Sequence, residues 1–221
     1  MAILEVCAGS LQSAITAQDA GASRVELCTQ LEVGGLTPSY GVIKAAAALR
    51  IPVHVLIRPR TGGFVYSEDE LKVIEDDIQV VGELGCAGVV VGVLTARGVN
   101  VEALTRLVQL SRRWKMNVTF HRAFDDLIDM EKGLEDVISA GCDRILTGVR
   151  QIPSLIKLAR GRITIMPGGG ITPGNVASLG VSEVHASCKK VVKSEDSIFA
   201  ADRWETDGAM VKEMLRVLST L

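Results

Sequence analysis

The chain alternates short β-branched runs with longer segments of helical pattern, and this alternation constrains its fold more than any other feature. Eight strand-length runs can be counted, over residues 3–7, 24–28, 53–57, 88–93, 117–121, 144–147, 163–166 and 183–186. Strands that alternate with helices build a parallel sheet. Eight such units within 221 residues favour a closed (β/α)8 TIM barrel, because an open doubly wound sheet normally has fewer strands. The sequence therefore predicts an α/β protein with one barrel domain over residues 1–221.

Helix ends are marked by residues with defined backbone roles. Ser67 and Glu70 have the spacing of a capping box, and Thr-Pro pairs at residues 37 and 172 predict two further helix starts. A helix C-terminus favours a glycine that tolerates positive φ, and such glycines precede predicted strands at Gly21, Gly85 and Gly141. Residues 20–25 also resemble residues 140–145, four units apart, as the duplication of a half-barrel would leave them.

Composition and charge exclude several classes of function. The net charge is −2, and no basic cluster combines with aromatic residues, so nucleic acid is not an expected partner. The apolar runs, such as 88–94, are strand-length and far below the roughly 18 residues that cross a bilayer. Glu5 interrupts the first apolar run, which argues against a signal peptide. Five cysteines without a C-x-x-C pair fit reduced thiols and a cytoplasmic location.

The motif Glu-x-Cys occurs at the ends of the first two predicted strands, as Glu5 with Cys7 and Glu26 with Cys28. Side chains alternate faces along a strand, so each glutamate shares a face with its cysteine. Two sulfurs on adjacent parallel strands, about 4.8 Å apart, could hold one soft metal ion. The alternative is that both cysteines are small buried apolar residues, and a transient disulfide between them also stays open. Cys188 could add a third sulfur at the same end of the barrel.

Polar residues gather where the strands end, which is where barrels of this kind place their active sites. His121 and His185 lie at or near strand ends and could each be an acid, a base or a metal ligand, or a hydrogen-bonded barrel histidine. His54 lies lower in its strand and is expected in the core. Asp125 could orient His121 or bond to Arg122, or it could cap the next helix.

The loop over residues 58–66 combines two arginines, two adjacent glycines and two aromatic residues. Arg58 and Arg60 present planar forks of donors that match a carboxylate or a phosphate. The alternative is that Arg58 neutralises the inward Glu5 or Glu26, since an unpaired buried carboxylate costs several kcal/mol.

Three glycines, at 168–170, follow the seventh predicted strand and resemble the loop of phosphate-binding barrels. The segment after strand eight, residues 187–190, lacks the glycine that would complete a two-loop phosphate site. Residues 189–207 show no clear periodicity, and they could cover the mouth as a lid or be disordered.

Several segments together resemble the CutC family, named for copper homeostasis, from about residue 3 to residue 185 and beyond. They are Glu-x-Cys in strand one and residues 24–28, 34–39, 58–60, 121–125 and 166–170. The resemblance implies a cytosolic (β/α)8 barrel, often a homodimer, with a Cu(I) site at Cys7 and Cys28. The chain departs from the family pattern at residues 61–64, where a carboxylate is missing, and after Thr147, which is followed directly by Gly148.

Two functional hypotheses follow. The first is a copper homeostasis protein that binds Cu(I) through Cys7 and Cys28, since thiolates suit this soft ion. The second is a barrel enzyme for a small anionic carboxylate or phosphate substrate. Its binding residues would be Arg58, Arg60, Arg122 and His185, and its catalytic candidates would be Glu26, His121 and Asp125.

Overall fold

The protein is an α/β barrel in the computed structural model, which describes residues 2–148, 152–193 and 202–220. The strands in chain order are β1 (Ile3–Ala8), β2 (Arg24–Leu27), β3 (Val53–Leu56), β4 (Gly88–Val91), β5 (Leu94–Thr95), β6 (Gly98–Val99), β7 (Asn117–Phe120), β8 (Arg144–Thr147), β9 (Thr164–Pro167), β10 (Glu183–Ala186), β11 (Lys189–Val192) and β12 (Arg203–Thr206). All except β5, β6, β11 and β12 are barrel strands, and each begins within one residue of its predicted start. The predicted fold class is therefore confirmed.

The eight barrel strands form one parallel sheet in the order β10-β1-β2-β3-β4-β7-β8-β9. The sheet curls until β9 and β10 lie against each other, so the barrel is nearly closed. The register places Glu5 opposite His185 and Cys7 opposite Glu26. Residues from the two ends of the chain thus meet on neighbouring strands.

In the described part of the chain, seven helices surround the sheet: α1 (Leu11–Asp19), α2 (Tyr40–Ala46), α3 (Glu68–Glu83), α4 (Val101–Arg113), α5 (Met130–Ser139), α6 (Ile152–Ala159) and α7 (Gly208–Leu218). The outward faces of the strands carry fully buried aliphatic side chains such as Leu4, Val6, Val25 and Leu27. These side chains belong to the main hydrophobic core together with the inward faces of the helices. Among the described residues, none of the helices combines the length and the apolarity needed to cross a bilayer.

Several predicted helix ends are confirmed. Ser67 Oγ accepts a hydrogen bond from the Glu70 amide, and a Glu70 carboxylate oxygen accepts one from the Ser67 amide, which is the reciprocal pattern of a capping box. The glycines before β2, β4 and β8 all have positive φ: Gly21 at 97°, Gly85 at 77° and Gly141 at 87°. Their left-handed conformation ends the preceding helix and turns the chain into the strand.

Two predicted helix starts are wrong. Helix α2 begins at Tyr40 and not at residue 37, because Ser39 provides the N-cap and accepts a hydrogen bond from the Val42 amide. The Thr-Pro pair at 172–173 opens a turn, in which the Thr172 amide bonds to the side chain of Asn175, and the helix that follows is only a short 3-10 turn at Val176–Leu179. Side-chain competition for the backbone explains both differences.

Two short hairpins add to the barrel. Strands β5 and β6 pair antiparallel after β4, and β11 pairs antiparallel with β12 near the C-terminus. The second hairpin falls in the segment predicted to be a lid or disordered. Lys189 and Trp204 from this hairpin line the cavity at the barrel mouth, while residues 194–201 lie outside the described residues.

Candidate functional site

A cavity of about 550 Å³ opens at the C-terminal ends of the barrel strands. This volume is within the usual range of small-molecule sites, and the position is where barrels of this architecture bind their ligands. Its polar lining includes Cys7, Glu26, His121, Arg122, His185 and Lys189. Most of the residues that the sequence singles out therefore converge on one space.

The two cysteines of the Glu-x-Cys motifs lie side by side. Their sulfurs are 3.9 Å apart, and both thiols are free. Cys7 lines the cavity, whereas Cys28 lies behind it against Leu56 and Val90. The hydrogen bond to Cys28 and burial raise the pKa of Cys7 well above its usual value, so this thiol is protonated at neutral pH.

Three potential metal ligands meet at the floor of the cavity. One ligand atom from each of Cys7, Glu26 and His185 lies within 4.8 Å of the others, and all three side chains are buried. Cys188 lines the same cavity, but it is not part of this group of described residues. Cys7 is therefore the shared member of the cysteine pair and of the mixed group.

A network of charged side chains fills the barrel interior below the cavity. The guanidinium of Arg24 bonds to Glu5 at 2.5 Å and to Glu183 at 2.7 Å. Arg144 bonds to the same Glu183 at 3.1 Å, and His185 Nδ1 bonds to Glu5 at 2.8 Å. All of these side chains are buried, so each charge depends on its partners and not on water.

The network determines which of its members are charged. Burial alone would raise the pKa of Glu5, but the His185 hydrogen bond and Arg24 hold it far below its usual value. Burial raises the pKa of Glu26. Burial would lower the pKa of His185, but the charges of Glu26 and Glu5 raise it. The two arginines therefore balance Glu5 and Glu183, whose pKa values are both lowered.

His54 lies in the core, as expected. It is 2% exposed, and its Nδ1 is 3.8 Å from a Glu5 oxygen, beyond hydrogen-bond distance. Burial lowers the pKa of His54 to about 4, so the ring is neutral at pH 7.

The alternative that Arg58 neutralises Glu5 or Glu26 is wrong, because Arg24 pairs with Glu5 and the ion-pair partner of Glu26 is His185. The guanidinium of Arg58 instead bonds to the carbonyl oxygens of Val33, Gly35 and Gly62 and joins the two loops that contain them. Its role is therefore structural in large part, although it still lines the cavity.

Arg60 lies outside the group of described residues that line the cavity. Its guanidinium pairs with Glu70 and bonds to the carbonyls of Thr61, Gly63 and Val65. Arg58 and Arg60 thus stabilise the loop after β3. Arg122 also lies at the mouth, and its partner is the side chain of Asp125, three residues further along the chain.

His121 directly follows β7 and lines the cavity. Its Nδ1 accepts a hydrogen bond from the Ala123 amide at 3.0 Å, so in the neutral ring the proton is on Nε2. Burial, followed by the charge of Arg58, lowers the pKa of His121 to about 3. The ring of Phe64 packs against it, with the ring centroids 4.8 Å apart.

Asp125 connects the loop after β7 to the end of β8. One carboxylate oxygen accepts hydrogen bonds from Thr147 Oγ1 at 2.6 Å and from the Gly148 amide at 3.0 Å, and the other accepts from Arg122 Nε at 2.7 Å. Asp125 therefore positions Arg122, which was one of the alternatives left open by the sequence. Among the described residues, its hydrogen bonds do not include one to His121.

The sequence analysis missed Arg24, Arg144 and Glu183, which hold the interior network together. Period-two alternation could have found them, because Arg24 shares a strand face with Glu26, and Glu183 shares one with His185. The resemblance between residues 20–25 and 140–145 also pointed to these arginines. Arg24 and Arg144 occupy matching positions in the two segments, and both bond to the carboxylate of Glu183.

Comparison with known proteins identifies the family of this chain. The family model described as CutC family matches residues 2–190. A family protein CutC from Xylella fastidiosa strain Temecula1 is 43% identical over 98% of this chain and 88% of its own, and one from Chromobacterium violaceum is 47% identical over 87% of this chain and 83% of its own. A Streptococcus agalactiae crystal structure, described as a candidate copper homeostasis protein CutC, has a TM-score of 0.79 and 36% identity, and it covers 85% of this chain and 99% of its own. The chain belongs to the CutC family.

Proposed function

We propose that this protein is a cytoplasmic copper homeostasis protein that binds Cu(I) through Cys7 and Cys28. The observation that carries the proposal is the distance of 3.9 Å between the two sulfurs, on adjacent strands and with both thiols free. Soft thiolates favour Cu(I) over the harder divalent ions. The name of the Streptococcus agalactiae relative supports the same function.

The sulfur separation fits a bent arrangement better than a linear one. With metal–sulfur bonds of about 2.3 Å, a linear pair would need sulfurs about 4.6 Å apart, whereas an angle near 120° needs about 4.0 Å. The observed separation of 3.9 Å is close to the second value. A bent pair leaves room for a third ligand.

His185 is the best candidate for that third ligand. It belongs to the group of potential ligands around Cys7, and its Nδ1 already bonds to Glu5. A carboxylate on one ring nitrogen of a histidine commonly orients the other nitrogen toward a metal. Glu26 lies 3.4 Å from His185 Nε2 and would compete with the metal for this position.

Burial of the cysteines favours storage or sensing of copper over rapid transfer. Cys28 is 1% exposed and Cys7 is 7% exposed, so a partner protein cannot reach both sulfurs directly. Copper would enter through the cavity and meet Cys7 first.

The homodimer implied by the family resemblance stays a prediction, which sedimentation analysis tests.

We expect the double substitution Cys7→Ser, Cys28→Ser to weaken Cu(I) binding at least about a hundredfold, because serine oxygens are poor ligands for a soft ion. The measurement is an anaerobic competition titration against a chromophoric Cu(I) chelator. The matched control is Cys86→Ser, Cys142→Ser, which changes two cysteines of similar burial away from the mouth. Equal affinity in the Cys7, Cys28 variant and the wild type would reject the cysteine pair as the site.

We also expect Cu(I) affinity to increase by about tenfold per pH unit between pH 6 and pH 8 for each thiol proton released. The physical reason is the raised pKa of Cys7, since the metal must displace a proton from a thiol that is neutral over this range. The same competition titration at several pH values, corrected for protonation of the chelator, measures the slope. An affinity independent of pH would contradict coordination by Cys7.

The second hypothesis from the sequence, a barrel enzyme with Glu26, His121 or Asp125 as catalytic residues, stays a prediction. The cavity and its polar lining are compatible with such an activity. The structural positions of Asp125 and Arg60 favour a supporting role in their loops over direct contact with a substrate.

A further inference from the structure

We propose that the mouth of the barrel contains a second binding site, separate from the cysteine pair, for the carboxylate or phosphate group of a small organic molecule. The oxyanion would bind between His121 and Arg122, at the end of β7, and the backbone of Gly169, after β9. We call these three residues the oxyanion site. Its residues follow β7 and β9, whereas the proposed copper ligands lie on or next to β1, β2 and β10. The oxyanion site therefore does not depend on the copper proposal.

The first observation is an unused hydrogen-bond donor at the cavity wall. His121 is 6% exposed, and its Nε2 has no hydrogen-bond partner among the described residues. The Nδ1 edge of the ring faces the Ala123 amide and Gly92, where a Cβ would collide with the ring. His121 lines the cavity, and Nε2 is the ring nitrogen that is left without a partner among the described residues. A buried N–H donor without a partner is destabilising, and a bound acceptor would remove that penalty.

The second observation is the orientation of Arg122. Its Nε bonds to Asp125, which is itself held by Thr147 and Gly148, so the guanidinium is fixed at one end. Its terminal Nη1 and Nη2 donate no hydrogen bond to any described residue. A guanidinium with two free donors in one plane matches the oxygens of a carboxylate or a phosphate.

The third observation is the close approach of a glycine to that arginine. Gly169 has φ of 80°, and a Cβ at this position would lie 3.1 Å from Arg122 Nη1 and 3.3 Å from its Cζ. The absence of a side chain lets the guanidinium lie against the loop after β9. The Gly169 amide donates no hydrogen bond within the described part of the chain, so it is also available to an anion.

Charge and shape of the cavity indicate the rest of the ligand. Among the described residues, Arg58, Arg122 and Lys189 line the cavity, whereas Glu26 is the carboxylate in its lining. The fixed charges therefore favour an anion. Apolar side chains also line the cavity and would pack against a carbon skeleton: Leu31, Leu56, Phe64, Ile171, Trp204 and Met210. The ligand class is a small organic acid or a phosphate ester, and not a bare inorganic ion.

The test is a titration of the protein with two probes, malonate and glycerol 3-phosphate. Binding is monitored by NMR, through the amide and imidazole chemical shifts of ¹⁵N-labelled protein. We expect saturable shifts at Gly169 and at His121 Nε2–H. The probe that binds more tightly distinguishes a carboxylate from a phosphate site. The substitutions Arg122→Gln and Gly169→Ala should each weaken binding at least about tenfold, because each removes or displaces the charge-assisted donors.

Two variants at the opposite end of the barrel are matched controls. Arg162→Gln removes an arginine of a partly exposed ion pair, with Glu135, that resembles the pair of Arg122 with Asp125. Gly161→Ala places a side chain at φ of 74°, with no atom within 4 Å of its Cβ, so it has the backbone strain of Gly169→Ala without the collision. Both should bind the probes as the wild type does.

The proposal is overturned if neither probe produces saturable shifts, or if the shifts persist with unchanged affinity in Arg122→Gln. It is also overturned if the shifts map to residues away from the mouth. The variant Cys7→Ser, Cys28→Ser should keep the binding of both probes, and this separates failure of the oxyanion site from failure of the copper site. Arg122 is more than half exposed, so its substitution leaves the fold intact.

Discussion

Replacement of Arg24 by methionine is expected to lower the free energy of unfolding by about 3–5 kcal/mol, the usual cost of removing one partner from a buried ion pair. Arg24 bonds to both Glu5 and Glu183, and Glu5 is completely buried. Methionine retains the apolar stem but leaves these carboxylates with less positive charge. Arg144 still contacts Glu183, so the larger share of the cost is expected at Glu5.

Urea unfolding at pH 7, monitored by circular dichroism, measures this loss as a decrease in the transition midpoint. The control is Arg216→Met, which removes an exposed arginine paired with Glu213 and should leave the midpoint unchanged. The combined substitution Arg24→Met, Glu5→Gln should recover part of the stability, because it removes the charge left without its partner. An unchanged midpoint in Arg24→Met would show that the interior network does not stabilise the barrel.

The second large effect is expected on acidification: the free energy of unfolding should decrease by about 5 kcal/mol between pH 6.5 and pH 4.5. Burial lowers the pKa of His54 to about 4 and that of His121 to about 3. Both rings are neutral in the folded protein over this range, whereas in the unfolded chain they take up protons below about pH 6.5. Each histidine therefore costs about 1.4 kcal/mol per pH unit as the pH falls.

Other groups of the network extend this dependence in both directions. Glu5 and Glu183 have lowered pKa values in the folded state, so their contribution is present above about pH 4.5 and is lost at lower pH. His185 has a raised pKa, and its contribution is complete below about pH 6.5 and is lost as the pH rises through the folded value. Stability is thus expected to be greatest near neutrality.

Urea unfolding at intervals between pH 7 and pH 4.5 gives the slope. The single variants His54→Asn and His121→Asn should each reduce that slope by about 1.4 kcal/mol per pH unit, the effect of one proton. A change of less than about 1 kcal/mol in the wild type across this range would contradict neutral, buried histidines at both positions.

The barrel could be predicted from the sequence because its strands and turns are encoded locally. β-Branched runs separate the helical segments, and Gly21, Gly85 and Gly141 mark the turns into three of the strands. The start of α2 and the short helix after β9 could not be predicted from the Thr-Pro pairs alone. There, Ser39 accepts a hydrogen bond from the Val42 amide, and Asn175 accepts one from the Thr172 amide, so neighbouring polar side chains determine the local backbone structure.

Alternation along the strands correctly placed Cys7 beside Cys28. The position of His185 at a strand end correctly placed it at the same mouth as Cys7 and Glu26. It could not identify the partner of each charge, because that depends on the stagger between strands. The register places Glu5 opposite Arg24 on the neighbouring strand. Arg58 lies beyond the end of β3, where loop carbonyls reach its guanidinium first.

The chain separates the partners of its interior charges by almost its whole length. Along the sequence, 159 residues separate Arg24 from Glu183, and 180 separate Glu5 from His185. A sheet that closed without β10 would enclose unbalanced charge. The buried charges therefore couple closure of the barrel to the pairing of its first and last barrel strands.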